Sequence, residues 1–406
     1  MHVVLFAPAW PPATRHNGIV TYVHWLREGL RGMGHRVTVV TGLLDRAEPG
    51  VVLIAPRPRR SLMDRIAGRV LGKRPTIFDG GRDEIAPALA KLNAIDPIDV
   101  VEMEESFGWA ADVGERTGLP VVAKLHGPAF LHLVEEELAT PFGQERVRRE
   151  GDALARLPFL ISPSRCHLRN TIARYRLAPA IAEQVVNPLG LADDAPLWTL
   201  AGCDRHTILF VGRFDKVKGG DLAVLAFQQL LRSRPQARMI FVGPDYGMIQ
   251  PDGSLVAFRE FVARLADPAL EAAIDYRGRL PPEQIATLRT RALCTLVVSR
   301  VENQAYTVLE AMLQGCPLVC TDNSGTSEMI EHETTGLLAA SDSPADIAAQ
   351  IQRLLDAPEL AEQIGAAARR HAMEVHAPDV VAARNVSVYE RAIALHAQSA
   401  GRRRAA

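Results

Sequence analysis

Residues 299–320, SRVENQAYTVLEAMLQGCPLVC, carry two glutamates, Glu302 and Glu310, eight positions apart. Along one continuous helix, eight positions would separate the carboxylates by about 12 Å, too far for a shared metal or a paired acid and base. The intervening Asn303-Gln304-Ala305 has the composition of a loop, and residues 307–313 have the apolar spacing and the N-terminal threonine of a helix. The N–H groups at the start of such a helix favour a phosphate. The two carboxylates therefore suit the two ends of a nucleotide sugar.

The same glutamates also have an ordinary explanation. A glutamate in the first turn of a helix interacts favourably with the helix dipole, which would account for Glu310. Glu302 would then be a charged loop residue without a ligand. The surrounding sequence has to decide between the two explanations.

That surrounding sequence resembles a known family. The pattern LEAM, then G-x-P-L-V, then residues 324–340, SGTSEMIEHETTGLLAA, is similar to the donor-binding signature of the retaining glycosyltransferases of the GT-B fold, family four. The resemblance covers nearly the whole chain, and its motifs are clearest between Ile208 and Ala339. It implies an α/β protein of the GT-B fold, with two doubly wound Rossmann-like domains facing across a cleft.

The alternation of strand-like and helical runs supports parallel sheets covered by helices. Strand-like runs recur at residues 3–7, 37–41, 51–55, 100–103, 121–125 and 159–162, and again at 208–211, 239–242, 273–276, 295–299 and 318–320. We predict an N-terminal acceptor-side domain (1–190), a C-terminal nucleotide-sugar-binding domain (191–375) and a last helix (376–406) that resembles the family's helix crossing back to the first domain. The stretch NPLGLADDAPLWTLAGCD, residues 187–204, is the predicted linker.

Composition disfavours several classes of protein. With 406 residues, 48% of them hydrophobic, the chain can form two cores. The net charge of -1 gives no overall attraction to nucleic acid, and five cysteines without a CxxC pair favour a reducing compartment over disulfides or a zinc site. The opening MHVVLFAPAWPP is typical of a first strand rather than a signal peptide. We expect a cytoplasmic protein, with peripheral contact at the inner membrane face as a further option.

Two cations follow the first strand of the second half. In residues 208–224, ILFVGRFDKVKGGDLAV, the strand ends at Gly212 and a loop carries Arg213 and Lys218 towards a helix near Asp221. Such a loop lies at the carboxyl end of the strands, where doubly wound sheets bind ligands. Two fixed cations there can stabilise a leaving diphosphate, whereas ordinary solvated cations are the alternative. No Asp-x-Asp pair is present to hold a divalent ion on the diphosphate, so we expect metal-independent activity.

The first half contributes two candidates, Gly18 and His126. Gly18 opens a helix after a Pro-rich loop, where a glycine allows close backbone approach to a phosphate or an acceptor; a plain helix start capped by Asn17 is the alternative. The family often has two glycines here, and Asn17-Gly18 departs from that pattern. His126 follows the strand-like VVAKL and matches in position the family histidine beside the transferred sugar. A histidine that makes structural hydrogen bonds is the alternative.

The resemblance implies roles for these residues. Arg213 and Lys218 would stabilise the departing diphosphate, His126 would orient the sugar, and Glu302 would hold sugar hydroxyls. The predicted donor-binding set is Gly18, Gly212, Arg213, Lys218, Arg279, Leu280, Glu302, Asn303, Gln304, Ala305, Tyr306, Thr307 and Glu310, with Glu310 at the ribose and the backbone near Arg279-Leu280 at the base. The acceptor would be a glycan, a lipid-linked group or a small molecule. Retention by same-face substitution needs no enzyme nucleophile, no metal and no cofactor besides the nucleoside-diphosphate sugar.

Several alternatives stay open. Asn303-Gln304-Ala305-Tyr306 replaces the Gly/Pro-Phe-Gly usual in the family, so the sequence does not specify the donor. A sugar-nucleotide epimerase of the same fold and a noncatalytic sugar-nucleotide-binding protein remain possible. A nucleic-acid module is disfavoured because the basic cluster at residues 57–74, RPRRSLMDRIAGRVLGKR, lacks interleaved aromatic residues. That cluster predicts a surface helix, with membrane-surface docking as the alternative.

Overall fold

The computed structural model of the chain describes residues 1–14, 17–54, 76–192, 194–250 and 252–405. The chain divides into two compact units. The first comprises Met1–Pro188 together with Pro378–Ala406, and the second comprises Leu189–Ala377. The domain ends predicted at residues 190 and 375 each lie two residues from these divisions.

The first domain is built on a parallel sheet with the strand order β3-β2-β1-β4-β5-β6-β7. The strands are β1 (His2–Ala7), β2 (Arg36–Thr41), β3 (Val51–Leu53), β4 (Val100–Glu104), β5 (Val121–Lys124), β6 (Phe159–Ser162) and β7 (Ile181–Gln184). The central strands are buried along their whole length, as expected for a parallel sheet covered on both faces. The strand order reverses beside β1, which pairs with β2 on one side and β4 on the other.

Helices cover this sheet. They are α1 (Gly18–Gly32), α2 (Ala86–Ile95), α3 (Trp109–Thr117), α4 (Ala129–His132), α5 (Glu135–Leu138), α6 (Pro141–Leu154), α7 (Arg165–Tyr175) and the C-terminal helix (Pro378–Ala405), with tighter or wider turns at Ile77–Asp79, Gly81–Ile85 and Ser106–Gly108. The C-terminal helix packs on α1 so closely that a Cβ atom at Gly29 would lie 2.1 Å from the carbonyl oxygen of Pro378. A glycine is therefore required at this crossing.

The second domain has its own parallel sheet, with the strand order β12-β9-β8-β13-β14-β15, and a separate β10-β11 hairpin. The strands are β8 (Asp204–Val211), β9 (Arg238–Val242), β10 (Met248–Ile249), β11 (Leu255–Val256), β12 (Ile274–Gly278), β13 (Ala292–Val297), β14 (Leu318–Thr321) and β15 (Leu337–Ala339). The helices are α8 (Gly220–Ser233), α9 (Phe258–Arg264), α10 (Pro268–Ala273), α11 (Pro282–Arg291), α12 (Tyr306–Gln314), α13 (Ser324–Ser327), α14 (Pro344–Asp356) and α15 (Pro358–Val375). The predicted pair of doubly wound Rossmann-like domains is confirmed.

The predicted linker is partly wrong, because its second half belongs to the core of the second domain. Trp198 is 7% exposed, and its indole N–H donates to the carbonyl oxygen of Ala292 at 2.8 Å. Its backbone N–H donates to the carbonyl oxygen of Gln314 at the same distance. The Pro and Asp residues around Trp198 drew attention to a flexible connection, whereas burial of one large aromatic ring fixes the segment.

Two sequence predictions concern membranes. The basic cluster at residues 57–74 lies outside the described residues, so its surface-helix and membrane-docking interpretations stay predictions. Among the helices that the structure does describe, none has the length and apolar character needed to cross a bilayer.

Candidate functional site

The candidate site of the second domain lies where the strand order of its sheet reverses. Strand β8 pairs with β9 on one side and β13 on the other, and all three run parallel. Their carboxyl ends therefore meet at one edge of the sheet. In doubly wound folds this edge, at the point of reversal, is where ligands bind. The loops that follow β8 and β13 carry Lys218 and Glu302.

Two glycines allow these loops to approach each other closely. Gly219 has a φ of +69°, and a Cβ atom there would lie 1.9 Å from the carbonyl oxygen of Val298. Gly325 lies against the other side of the β13 loop, where a Cβ atom would come within 2.1 Å of the carbonyl oxygens of Glu302 and Asn303. Any larger residue would push the loops apart, so the glycines set the spacing of the site.

Lys218 and Glu302 form an ion pair across the two loops. The Glu302 side chain is 7% exposed and that of Lys218 is 31% exposed. The same Glu302 oxygen accepts a hydrogen bond from the Ser299 hydroxyl at 2.9 Å, and the backbone N–H of Lys218 donates to Asp215 Oδ1 at 2.7 Å. The structure thus brings together two of the predicted site residues, and it adds Ser299 and Asp215 as residues that orient them.

Arg213 has different neighbours from Lys218. Its Nε lies 2.6 Å from Asp215 Oδ2, and its guanidinium carbon lies 5.4 Å from the centroid of the Tyr246 ring. Tyr246 is 51% exposed, so the stacked pair faces solvent. Asp215 therefore connects the two cations, since one of its oxygens holds the Arg213 side chain and the other holds the Lys218 backbone.

Glu310 lies within α12, as predicted, and pairs with Arg289 of α11. The Arg289 side chain is 2% exposed and also donates to Gln314 Oε1 at 3.0 Å. The helix begins at Tyr306 with Ala305 as its N-cap residue, so the expectation that Thr307 marks the N-terminus is wrong by one residue. Alanine has no side-chain oxygen with which to cap the helix.

The other predicted donor-binding residues occupy the same edge or stay untested. Gly212 follows β8, and its N–H donates to the carbonyl oxygen of Val242 at 2.9 Å. Asn303 is buried and Gln304 is half-buried in the β13 loop. Arg279 is exposed, and Leu280 borders a cavity of about 340 Å³ beside α11. Gly18 belongs to the first domain, where Asn17 Oδ1 accepts the Ile19 N–H at 2.8 Å, the contact expected of a plain helix cap.

His126 lies in the first domain, just after β5, in a loop held by two buried carboxylates. Glu105 accepts the backbone N–H groups of His126 at 2.8 Å and Gly127 at 2.7 Å, one on each oxygen. Glu150 accepts the N–H of Ala129 at 2.8 Å. Burial, together with the nearby Glu150 carboxylate, raises the pKa of Glu105 to about 8, against the opposing effect of the two N–H donors.

A buried lysine lies beneath this loop. Lys124 Nζ donates to the carbonyl oxygen of Val185 at 2.5 Å and lies 4.6 Å from the Tyr22 ring centroid. Burial lowers the Lys124 pKa to about 7, and the Glu102 carboxylate acts in the opposite direction. The Tyr22 ring packs edge-on against His126 at 4.9 Å. Burial, followed by the charge of Lys124, lowers the His126 pKa well below its usual value, so the imidazole is neutral at pH 7.

Sequence reasoning missed the carboxylates that hold the His126 loop. Glu102, Glu104 and Glu105 are all at most 6% exposed, although they lie at the end of a buried strand. The signal was available, because the run VVEMEE places acidic residues where a parallel strand is otherwise apolar. Buried carboxylates need partners, and the partners here are backbone N–H groups and the Tyr389 hydroxyl, which donates to Glu102 at 2.6 Å.

Replacing Glu105 with glutamine should lower turnover about tenfold. The amide can accept at its oxygen but not at its NH2 group, so one N–H of the His126–Gly127 segment loses its acceptor, at a cost of about 1–3 kcal/mol. The loop then shifts, and His126 with it. Steady-state kinetics would measure the loss. Glu104→Gln is the matched control, because this buried carboxyl bonds Ser106 instead; equal losses in both variants would contradict the role of Glu105.

Within the described residues, no group of three His, Cys, Asp or Glu side chains converges in a way that could hold a metal ion. Metal independence stays a prediction. The charged groups gathered at the β8–β13 edge are the cations Arg213 and Lys218 and the carboxylates of Asp215 and Glu302.

Comparisons with known proteins identify both domains. Residues 16–189 match the family described as Glycosyltransferase Family 4, and residues 201–371 match Glycosyl transferases group 1. A D-inositol 3-phosphate glycosyltransferase of Acidothermus cellulolyticus is 29% identical over 273 residues, which cover 64% of this chain and 60% of that protein. The chain thus aligns with only about three fifths of the length of that relative.

Solved structures of the same fold cover the chain almost completely. Sucrose-phosphate synthase of Thermosynechococcus elongatus has a TM-score of 0.71 at 19% identity, covering 97% of this chain and 99% of that one. The Anabaena protein HepE, in complex with UDP and glucose, has a TM-score of 0.68 at 15% identity, covering 96% of this chain and 100% of that one. These likenesses establish the GT-B fold. With each of its domains matched by one of the two families, the chain belongs to the GT4-type glycosyltransferases of the GT-B fold.

Proposed function

We propose that this protein is a retaining glycosyltransferase that moves a sugar from a nucleoside-diphosphate sugar to an acceptor hydroxyl. The observation that supports this most is the Lys218–Glu302 pair at the point where the second sheet reverses its strand order. A cation and a carboxylate at that edge correspond to the two parts of such a donor. The cation suits the diphosphate that leaves, and the carboxylate suits the hydroxyls of the sugar that is transferred.

In this proposal the donor displaces the ion pair. Lys218 turns to the diphosphate, with Arg213 as a second cation, while Glu302 accepts hydrogen bonds from the sugar. The acceptor oxygen attacks the anomeric carbon on the face from which the diphosphate departs. The bond between carbon and the diphosphate oxygen breaks, the bond to the acceptor oxygen forms, and the diphosphate oxygen takes the acceptor's proton. The configuration at the anomeric carbon is retained without a covalent enzyme intermediate.

Glu310 and His126 complete the proposed set. One oxygen of Glu310 pairs with Arg289, which leaves the other for the ribose hydroxyls. The neutral His126 imidazole can accept or donate a hydrogen bond to the sugar, and its loop is fixed by Glu105. The acceptor is proposed to bind the first domain. Names of relatives suggest first substrates to test, namely UDP-glucose as donor and an inositol phosphate as acceptor.

A thermal-shift screen of nucleoside-diphosphate sugars tests the binding part of this proposal. A ligand at a hundred times its dissociation constant stabilises the folded protein by about 2.7 kcal/mol, which is readily measured. Donors that stabilise the protein are then incubated with and without acceptors, and the product linkage is read by NMR. Conversion of donor alone into another sugar nucleotide would indicate an epimerase, and binding without transfer to any acceptor would indicate a noncatalytic protein.

Transfer should continue at its full rate after thorough removal of divalent metals. The proposed charge stabilisation comes from Lys218, Arg213 and the N-terminus of α12, all of which belong to the chain itself. Initial rates are compared in untreated enzyme, in enzyme treated with EDTA, and after re-addition of magnesium or manganese. Loss of activity in EDTA that either metal restores would contradict metal independence.

A further inference from the structure

Arg300 connects the two loops of the donor site without facing the donor position itself. It lies between Ser299 and the β13-loop residue Glu302. Its backbone N–H donates to the carbonyl oxygen of Val217 at 2.8 Å, and its Nη1 donates to the carbonyl oxygen of Lys216 at 2.7 Å. Both acceptors lie directly before Lys218 in the loop that follows β8. Arg300 thus fixes the backbone that presents the lysine.

The Arg300 guanidinium also grips the start of α8. Nη1 and Nη2 each donate to one oxygen of Asp221 at 2.8 Å, which is a two-pronged pairing. The two side chains are 20% and 19% exposed. A second carboxylate, Asp342, lies 2.5 Å from Nε but is 62% exposed. The planar fork of arginine makes these directed bonds together, which a lysine ammonium cannot reproduce.

This clamp differs from the Lys218–Glu302 pair in what a donor would do to it. If a diphosphate draws Lys218 and a sugar draws Glu302, the ion pair between the loops is lost at the moment when their spacing matters most. The contacts of Arg300 with Lys216, Val217 and Asp221 involve no group assigned to the donor. They would persist in the bound state and keep Lys218 and Glu302 at the separation that the donor requires.

We propose that Arg300 is a positioning residue of the donor site, which holds the Lys218 loop against the Glu302 loop through Asp221 and the carbonyl oxygens of Lys216 and Val217. The inference rests on the proposed function. It makes a specific demand on energetics, namely that the effect of Arg300 on diphosphate binding is transmitted through Lys218. The two residues must then be coupled rather than independent.

A double-mutant cycle on binding of a nucleoside diphosphate tests this demand. The variants are Arg300→Met, Lys218→Ala and the double variant, and affinity is measured by calorimetry with UDP or whichever diphosphate the screen selects. We expect about tenfold weaker binding for Arg300→Met and a larger loss for Lys218→Ala. The double variant should bind about as weakly as Lys218→Ala alone, because without the lysine the clamp has nothing to position.

Arg300→Lys and Asp342→Asn complete the experiment. Arg300→Lys keeps the charge without the fork and should resemble Arg300→Met, whereas Asp342→Asn removes only the exposed partner and should bind normally. Losses that multiply in the double variant, or full affinity in Arg300→Lys, would overturn the positioning role. If Lys218→Ala itself binds the diphosphate normally, the proposed donor site is at fault rather than the clamp. Melting temperatures of all variants identify unfolding, and if Arg300→Met does not fold, Asp221→Asn replaces it in the cycle.

Discussion

Lys218→Ala should lower turnover by about two to three orders of magnitude, the loss typical when one preorganised donor to a transition-state charge is removed. Negative charge grows on the diphosphate as it departs, and Lys218 is the cation that both faces the sheet edge and is fixed there. Its backbone is held by Asp215 and its ammonium pairs with Glu302 at rest. Single-turnover transfer from a saturating donor is the appropriate measurement, since it isolates the chemical step.

Lys216→Ala provides a control that is unusually well matched. Lys216 lies in the same loop and carries the same charge, but its side chain is exposed, and only its carbonyl oxygen is used by Arg300. It should retain near-normal turnover. Arg213→Ala should lie between the two, because Arg213 is also held at this edge but shares its guanidinium with Asp215 and Tyr246. Similar rates for Lys218→Ala and Lys216→Ala would remove Lys218 from the mechanism.

The fold could be predicted from the sequence because its signal is local. Strands such as β1, β4 and β13 are short apolar runs, and the alternation with helices needs no knowledge of distant residues. The elements that were missed are those with a weak local signal. Strand β7 is an edge strand with two half-buried residues and one exposed, and β15 has three residues, so neither produces a continuous apolar run.

The partners of the site residues could not be predicted, for a physical reason. Lys218 and Glu302 are 84 residues apart in the chain, and Arg300 and Asp221 are 79 apart. Nothing local states which charges will meet; the close crossing at Gly219 decides it, and a glycine there looks like any loop glycine. Arg289 shows the same limit, because TLRTR reads as the polar face of a helix, yet burial leaves this arginine 2% exposed against Glu310.

The buried partner of Glu310 leads to a second large effect. Glu310→Leu would leave Arg289 with a buried positive charge and only the neutral Gln314 oxygen as its printed neighbour on α12. Removing one member of a buried pair costs about 3 kcal/mol or more, and the 39% exposure of Glu310 places this case at the lower end. The variant should melt several degrees lower than the parent, and it should bind nucleoside diphosphates about tenfold more weakly because the ribose loses a charged acceptor.

The double variant Glu310→Leu with Arg289→Met separates these two effects. Replacing a whole buried ion pair by apolar side chains of similar size is often neutral for stability, so the melting temperature should largely recover. Ribose recognition should not recover, because no carboxylate returns. The 2′-deoxy nucleoside diphosphate identifies that recognition: it should bind the parent protein about tenfold more weakly than the ribose form, while both double and single variants should hardly distinguish the two ligands. If the variants still prefer the ribose form as strongly as the parent does, Glu310 serves only as the counter-charge of Arg289 and the ribose is held elsewhere.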